Sequence, residues 1–67
     1  MRNSIKVERA RKNITQADLA EQVNVSRQTI NSIETGRFVP SAVLAFKIAK
    51  ALVIQVDQLF ELEESDG

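Results

Sequence analysis

Apolar side chains along this chain recur every three or four residues between short polar turns, the period of helices that each bury one face. Ile5 and Ala10 give a first helix, over about residues 4–12, an inward stripe that Glu8 interrupts three residues after Ile5. A carboxylate there must lie at the edge of the core or find a partner. Leu19, Ala20 and Val23 form the stripe of a second helix over about residues 16–23. Its start is signalled twice: Thr15 with Asp18 fits a capping box, and Ile14 with Leu19 fits a hydrophobic staple. Asn24 tolerates the left-handed conformation that ends a helix and redirects the chain. Ser26 can then cap a third helix carrying Ile30 and Ile33, with Val25 stapled onto Ile30. Gly36 closes that helix, and the loop that follows ends at Pro40, which biases Val39 away from helix. Ser41 caps a fourth helix, whose Val43, Leu44, Phe46, Ile48, Ala49 and Leu52 make it the most apolar segment, on which the others should pack. A short last helix runs from Gln55 or Val56 to Phe60. The alternation of apolar and acidic residues over 60–63 then permits a strand paired with residues 1–3. The fold class is all-α, five helices, with room for a terminal two-stranded β pairing.

Composition narrows this further. Two glycines and one proline in 67 residues fit a helical chain, and the length fits a single domain, residues 1–67, with one small core. A chain this short buries only about 60% of the surface its unfolded form exposes, so a second copy is an expected source of stability. Cysteine and histidine are both absent, which removes disulfides, thiolate nucleophiles, the usual zinc ligands and the side chain best suited to acid–base work near neutral pH. With no glycine-rich phosphate loop either, the reading is a non-enzyme with no metal, no cofactor and no evident small-molecule ligand. No apolar run exceeds the five residues 42–46, so neither a membrane span nor a signal peptide is expected, and the chain is read as cytoplasmic. Nine basic and nine acidic residues cancel, but they are unevenly spread: residues 1–37 hold seven Lys or Arg against four Asp or Glu, and the remainder two against five.

The residues over 16–35 form one unit. Two helices crossing at about 90–120° through a tight turn need a small residue at the crossing, here Ala20, and apolar anchors on each side, here Leu19, Val23, Val25, Ile30 and Ile33. That is the pattern of a helix-turn-helix. A wheel of about 100° per residue turns Gln28, Asn31, Ser32 and Thr35 outward when Ile30 and Ile33 point inward, with Arg27 on the flank. All five make hydrogen bonds and none is acidic. Guanidinium can fork onto guanine O6 and N7, and a carboxamide can pair with adenine N6 and N7. The competing reading is the polar outer helix of an ordinary helical corner, whose solvated face would more often mix Glu with Lys. Glu34 falls at the edge of the buried stripe and needs a cation from the first helix, for which Arg9 is better placed than Arg11.

The stretches ITQADLAEQVNVSRQTINSIETGRFVPS and AFKIAKALVIQVDQLF give the chain, over about residues 5–60, a specific likeness. It resembles the lambda-repressor-like, Cro/Xre-type helix-turn-helix transcriptional regulators, in particular their short stand-alone members. The resemblance implies that the helix matching residues 26–35 lies in the major groove and that Gln16 holds a phosphate. It also supports Arg9 with Glu34 as a structural ion pair, and implies a dimer formed over about residues 53–63, through Ile54, Val56, Leu59 and Leu62. The chain departs from the family pattern at four places. Asn24 replaces the commoner turn glycine, Val53 stands where glycine often follows the fourth helix, Ile54 replaces valine, and Glu8 occupies a usually apolar position.

The expected function is therefore sequence-specific binding of double-stranded DNA by a homodimeric regulator, acting as a repressor on a pseudo-palindromic operator. Base reading falls to Arg27, Gln28 and Asn31, supported by Thr29 and Ser32. Phosphates are held by Thr15, Gln16, Ser26, Thr35 and Arg37. The alternative is a protein-interaction or antitoxin-like module, whose apolar last helix binds another protein.

Overall fold

Three of the helices begin where a side chain satisfies an orphan backbone donor. In the computed structural model, which describes residues 1–66, the order is β1 (Arg2–Asn3), α1 (Ile5–Lys12), α2 (Gln16–Val23), α3 (Arg27–Glu34), α4 (Ala42–Ala51), α5 (Val56–Leu59), β2 (Phe60–Glu61) and a 3₁₀ turn, Glu64–Asp66. Thr15 Oγ1 accepts from the Asp18 amide at 3.0 Å while Asp18 Oδ2 accepts from the Thr15 amide at 3.3 Å, the reciprocal box expected. Ser26 caps α3 through the Thr29 amide at 3.1 Å, and Ser41 caps α4 through the Leu44 amide at 3.2 Å.

The first four helices share one ending. The residue after the last turn donates to a carbonyl three back, and the next residue donates to one five back: Asn13 to Ala10 and Ile14 to Arg9, Asn24 to Glu21 and Val25 to Ala20, Gly36 to Ile33 and Arg37 to Ser32, Val53 to Lys50 and Ile54 to Ala49. This pair of hydrogen bonds requires a left-handed residue, and the four take φ of 57°, 60°, 80° and 54°. Asparagine and glycine accept that conformation readily; Val53 does not.

The core is Ile5, Leu19, Ala20, Val23, Ile30, Ile33, Ile48, Ala49, Leu52, Leu59 and Phe60, all buried. Helix α2 packs on both α3 and α4, and α4 packs on α5. Two expectations about faces are corrected. Ala10 is exposed, and the inner position of α1 beside Ile5 belongs to Glu8, only 7% exposed. Its carboxylate is answered by Lys12 at 3.2 Å and Arg11 at 3.4 Å, one and nearly one turn on. On α4 the apolar excess divides: Ile48, Ala49 and Leu52 enter the core, whereas Val43 and Phe46 are 66% and 61% exposed.

Helix α5 stops one residue short of the expected Phe60, which turns extended to begin β2. The terminal pairing is present: Arg2 lies opposite Glu61 and Asn3 opposite Phe60 in an antiparallel ladder, continued by the Ser4 amide to the Leu59 carbonyl at 2.9 Å. The Met1 amino group meets Asp66 at 2.9 Å and Glu63 at 3.1 Å. Hydrogen bonds to Asp66 and then Glu63 raise the pKa of that amine. The Glu63 backbone N–H, and then the amine itself, lower that of Asp66. No helix among the described residues is long and apolar enough to cross a membrane.

Candidate nucleic-acid interface

Helix α3 is positioned from both ends. Its inner side is anchored by Ile30 and Ile33, both fully buried, and the last turn is tethered by Asn3, whose Nδ2 donates to the Ile33 carbonyl at 2.9 Å. Rotation is thereby fixed, and the outer side presents Arg27, Gln28, Asn31 and Thr35 exposed, with Thr29 and Ser32 half-buried beside them. No acidic residue stands on that stripe. Arg27 and Arg37 form no ion pair among the described residues, so their charge is available to an external anion.

The hydroxyls of this region are less free than their exposure suggests. Ser26 and Thr29 share a hydrogen bond at 2.8 Å. Thr35 donates its single hydroxyl hydrogen back to the Asn31 carbonyl at 2.9 Å. An ordered groove remains, lined by Ser26, Gln28, Thr29, Ser32 and Phe38. Phe38 was not among the residues picked from the sequence. Its amide returns to the Ser32 carbonyl at 3.2 Å, which folds the loop after Gly36 along the recognition side.

Behind the stripe the expected Arg9–Glu34 pair is present, and Gln16 extends it into a polar chain that spacing alone did not reveal. Arg9 clasps Glu34 through two donors, Nε to Oε2 at 2.7 Å and Nη2 to Oε1 at 3.1 Å. Its remaining Nη1 donates to the Ile14 carbonyl at 3.0 Å. The Glu34 side chain is 7% exposed, so the forked guanidinium is what makes its burial tolerable. Gln16, at the start of α2, donates from Nε2 to both Glu34 Oε1 and Asn31 Oδ1, each at 3.2 Å.

The residues expected at a dimer surface separate. Leu59 is 1% exposed and packs in its own chain's core, with its carbonyl held by the Ser4 amide; its side chain has no surface to offer a partner. Ile54 and Val56 are half-buried and line a groove with Phe46, Ala49 and Lys50, while Leu62 is exposed. Among the described residues no group of three carboxylate, histidine or cysteine side chains is arranged to hold a metal ion.

A family model described as helix-turn-helix matches residues 5–59. An uncharacterized HTH-type transcriptional regulator of Methanocaldococcus jannaschii is 47% identical over 66 residues, 98% of this chain and all of that one. The uncharacterized HTH-type transcriptional regulator YgzD of Bacillus subtilis is 46% identical over the same shares. Among solved structures, the restriction-modification controller protein C.AhdI of Aeromonas hydrophila superposes with a TM-score of 0.78 at 30% identity, covering 84% of this chain and 85% of its own. The hypothetical transcription factor NHTF from Neisseria gives a TM-score of 0.76 at 26% identity, over 81% of this chain and 61% of that one.

Proposed function

Because the chain belongs to the Cro/Xre-type helix-turn-helix family of DNA-binding transcriptional regulators, we propose that it is a sequence-specific reader of double-stranded DNA, a repressor that acts as a homodimer on a pseudo-palindromic operator. The observation that carries this reading is the acid-free stripe of exposed hydrogen-bonding side chains on α3, held in fixed rotation by buried Ile30 and Ile33. Arg27, Gln28 and Asn31 read base edges, with Thr29 and Ser32 shaping the groove beside them. Phosphates are held by Arg37, by the Thr15 and Ser26 hydroxyls, and by Gln16 at the start of α2, where unpaired backbone N–H groups and the positive end of the helix dipole favour an anion, whereas Thr35, expected among them, has both its donors on the Asn31 carbonyl. Dimerisation uses Ile54, Val56 and exposed Leu62, and sets two copies of α3 about 34 Å apart, one turn of duplex. Occupying a promoter in this way excludes polymerase.

Selecting bound sequences from a random duplex pool, followed by salt titration on the selected and a scrambled duplex, tests this. Arg27→Ala should cost about 1–3 kcal/mol and relax preference at one base pair. Arg37→Ala should weaken all sequences alike and lower the salt slope by about one. A pool that yields no enriched sequence contradicts sequence-specific reading, and enrichment of one unpaired half-site contradicts the homodimer.

A further inference from the structure

We propose that the Arg9–Glu34 pair fixes, through Gln16, which end of the Asn31 carboxamide faces outward, and that this relay makes the Asn31 position favour a base that presents an acceptor and reject cytosine. The inference rests on the DNA-reading function above and names what one of its residues recognises.

The polarity follows from the charge at one end. Arg9 only donates, and an ionised carboxylate only accepts, so both Glu34 oxygens are acceptors. The carboxamide of Gln16 has a donor end and an acceptor end, and the end that meets Glu34 Oε1 at 3.2 Å must be the nitrogen. That nitrogen carries two hydrogens, and the second meets Asn31 at 3.2 Å. The Asn31 atom facing it must accept, so Oδ1 turns inward and Nδ2 is left on the open side of an exposed residue. A carboxamide without this connection could present either end to DNA. Here the choice is made before DNA arrives.

Nδ2 offers two donors to the groove, and Oδ1 keeps one lone pair. Guanine presents N7 and O6, both acceptors, thymine presents its O4 acceptor, and adenine presents the acceptor N7 beside its N6 donor, which the remaining lone pair can receive. Cytosine presents its N4 donor and no acceptor, so the two Nδ2 hydrogens lose their hydration with no partner. The same bookkeeping alters the part played by Gln16. With both side-chain hydrogens committed, only its Oε1 is left, an acceptor that offers nothing to a phosphate. The phosphate contact at this position then belongs to its backbone N–H, and the side chain is a positioning group for Asn31.

The test compares Gln16→Met and Glu34→Gln with the parent on duplexes carrying each of the four base pairs at the position that Asn31→Ala identifies by loss of preference. Gln16→Met, close in shape and without hydrogen bonds, should erase roughly three- to tenfold of the discrimination there, the worth of about one hydrogen bond, and leave other positions as they were. Glu34→Gln leaves one oxygen and one NH₂ where two acceptors met Arg9 and Gln16, so the end of Gln16 that faces Asn31 is no longer fixed and the same preference should shrink. Uniform weakening across all four base pairs with Gln16→Met, the behaviour of a phosphate contact, overturns the relay, as does unchanged discrimination. A parent that binds no duplex defeats the DNA reading instead. The relay is then judged in the free protein by side-chain amide hydrogen exchange: Gln16 NH₂ protected and Asn31 NH₂ fast supports it, and the reverse order overturns it.

Discussion

Replacing Val53 by glycine should stabilise the protein. Val53 closes α4 at φ 54°, where its amide donates to the Lys50 carbonyl at 3.2 Å and the following Ile54 amide donates to Ala49 at 3.0 Å. The left-handed conformation costs an L-residue about 1–2 kcal/mol, and β-branching places valine at the upper end. Glycine removes that strain but adds unfolded-state entropy worth roughly 0.5–1 kcal/mol. The valine side chain is 81% exposed, so little burial is forfeited. The balance is a gain of about 1 kcal/mol, or roughly 4–8 °C in Tm for a domain of this size. Alanine still carries a Cβ and should recover only part of it. Thermal and urea unfolding followed by circular dichroism decide the matter. Several protein concentrations are needed, because Val53 borders the proposed dimer surface and its loss there would show as a concentration-dependent term. A Val53→Gly variant that is no more stable than the parent at the lowest concentration refutes the reasoning.

Two further outcomes are expected. Arg9→Met should destabilise by about 3–5 kcal/mol in urea, since it strands a carboxylate that is 7% exposed, whereas Arg9→Met combined with Glu34→Leu should recover most of the loss; a cost below about 1 kcal/mol for the single change contradicts the buried pair. The terminal clasp should hold between about pH 4 and pH 8. The Met1 amine has a raised pKa, so its contribution is complete below about pH 8 and is lost as pH climbs through the folded value. The lowered pKa of Asp66 makes its contribution complete above about pH 4 and lost as pH falls through the folded value. Amide exchange of the β1–β2 residues across pH reads this directly, and a flat profile counts against it.

What could be read from the chain was what short-range chemistry decides. Thr15, Ser26 and Ser41 cap helices because each bond spans three residues, and Asn24 turns the chain by its own conformational tolerance. Asn13, followed by an apolar residue just as Asn24 is, carried the same signal and makes the same turn. Faces were harder where residue type and helical angle disagreed. Ala10 is five residues from Ile5, about 140° around the helix, while Glu8 is only about 60° away; geometry favoured the carboxylate, and its two cationic neighbours on the same helix made burial possible. An apolar side chain reads alike whether it enters its own core or faces outside, so Phe46 was grouped with Ile48, and Leu59 with Leu62. The link from Glu34 through Gln16 to Asn31 depends on how two helices cross, and no spacing within either helix encodes it.

The meeting of Arg2 with Glu61 joins positions 59 residues apart, whereas α2 and α3, which frame the turn, are neighbours in the chain. Closing so long a loop is entropically slow, so the helical corner should organise early and the ladder should zip up late. Reversed, the same ordering makes the two ends the first part to fray, leaving the helical corner intact. Because Asn3, next to Arg2, also tethers the end of α3, each such opening loosens the recognition surface without unfolding the molecule.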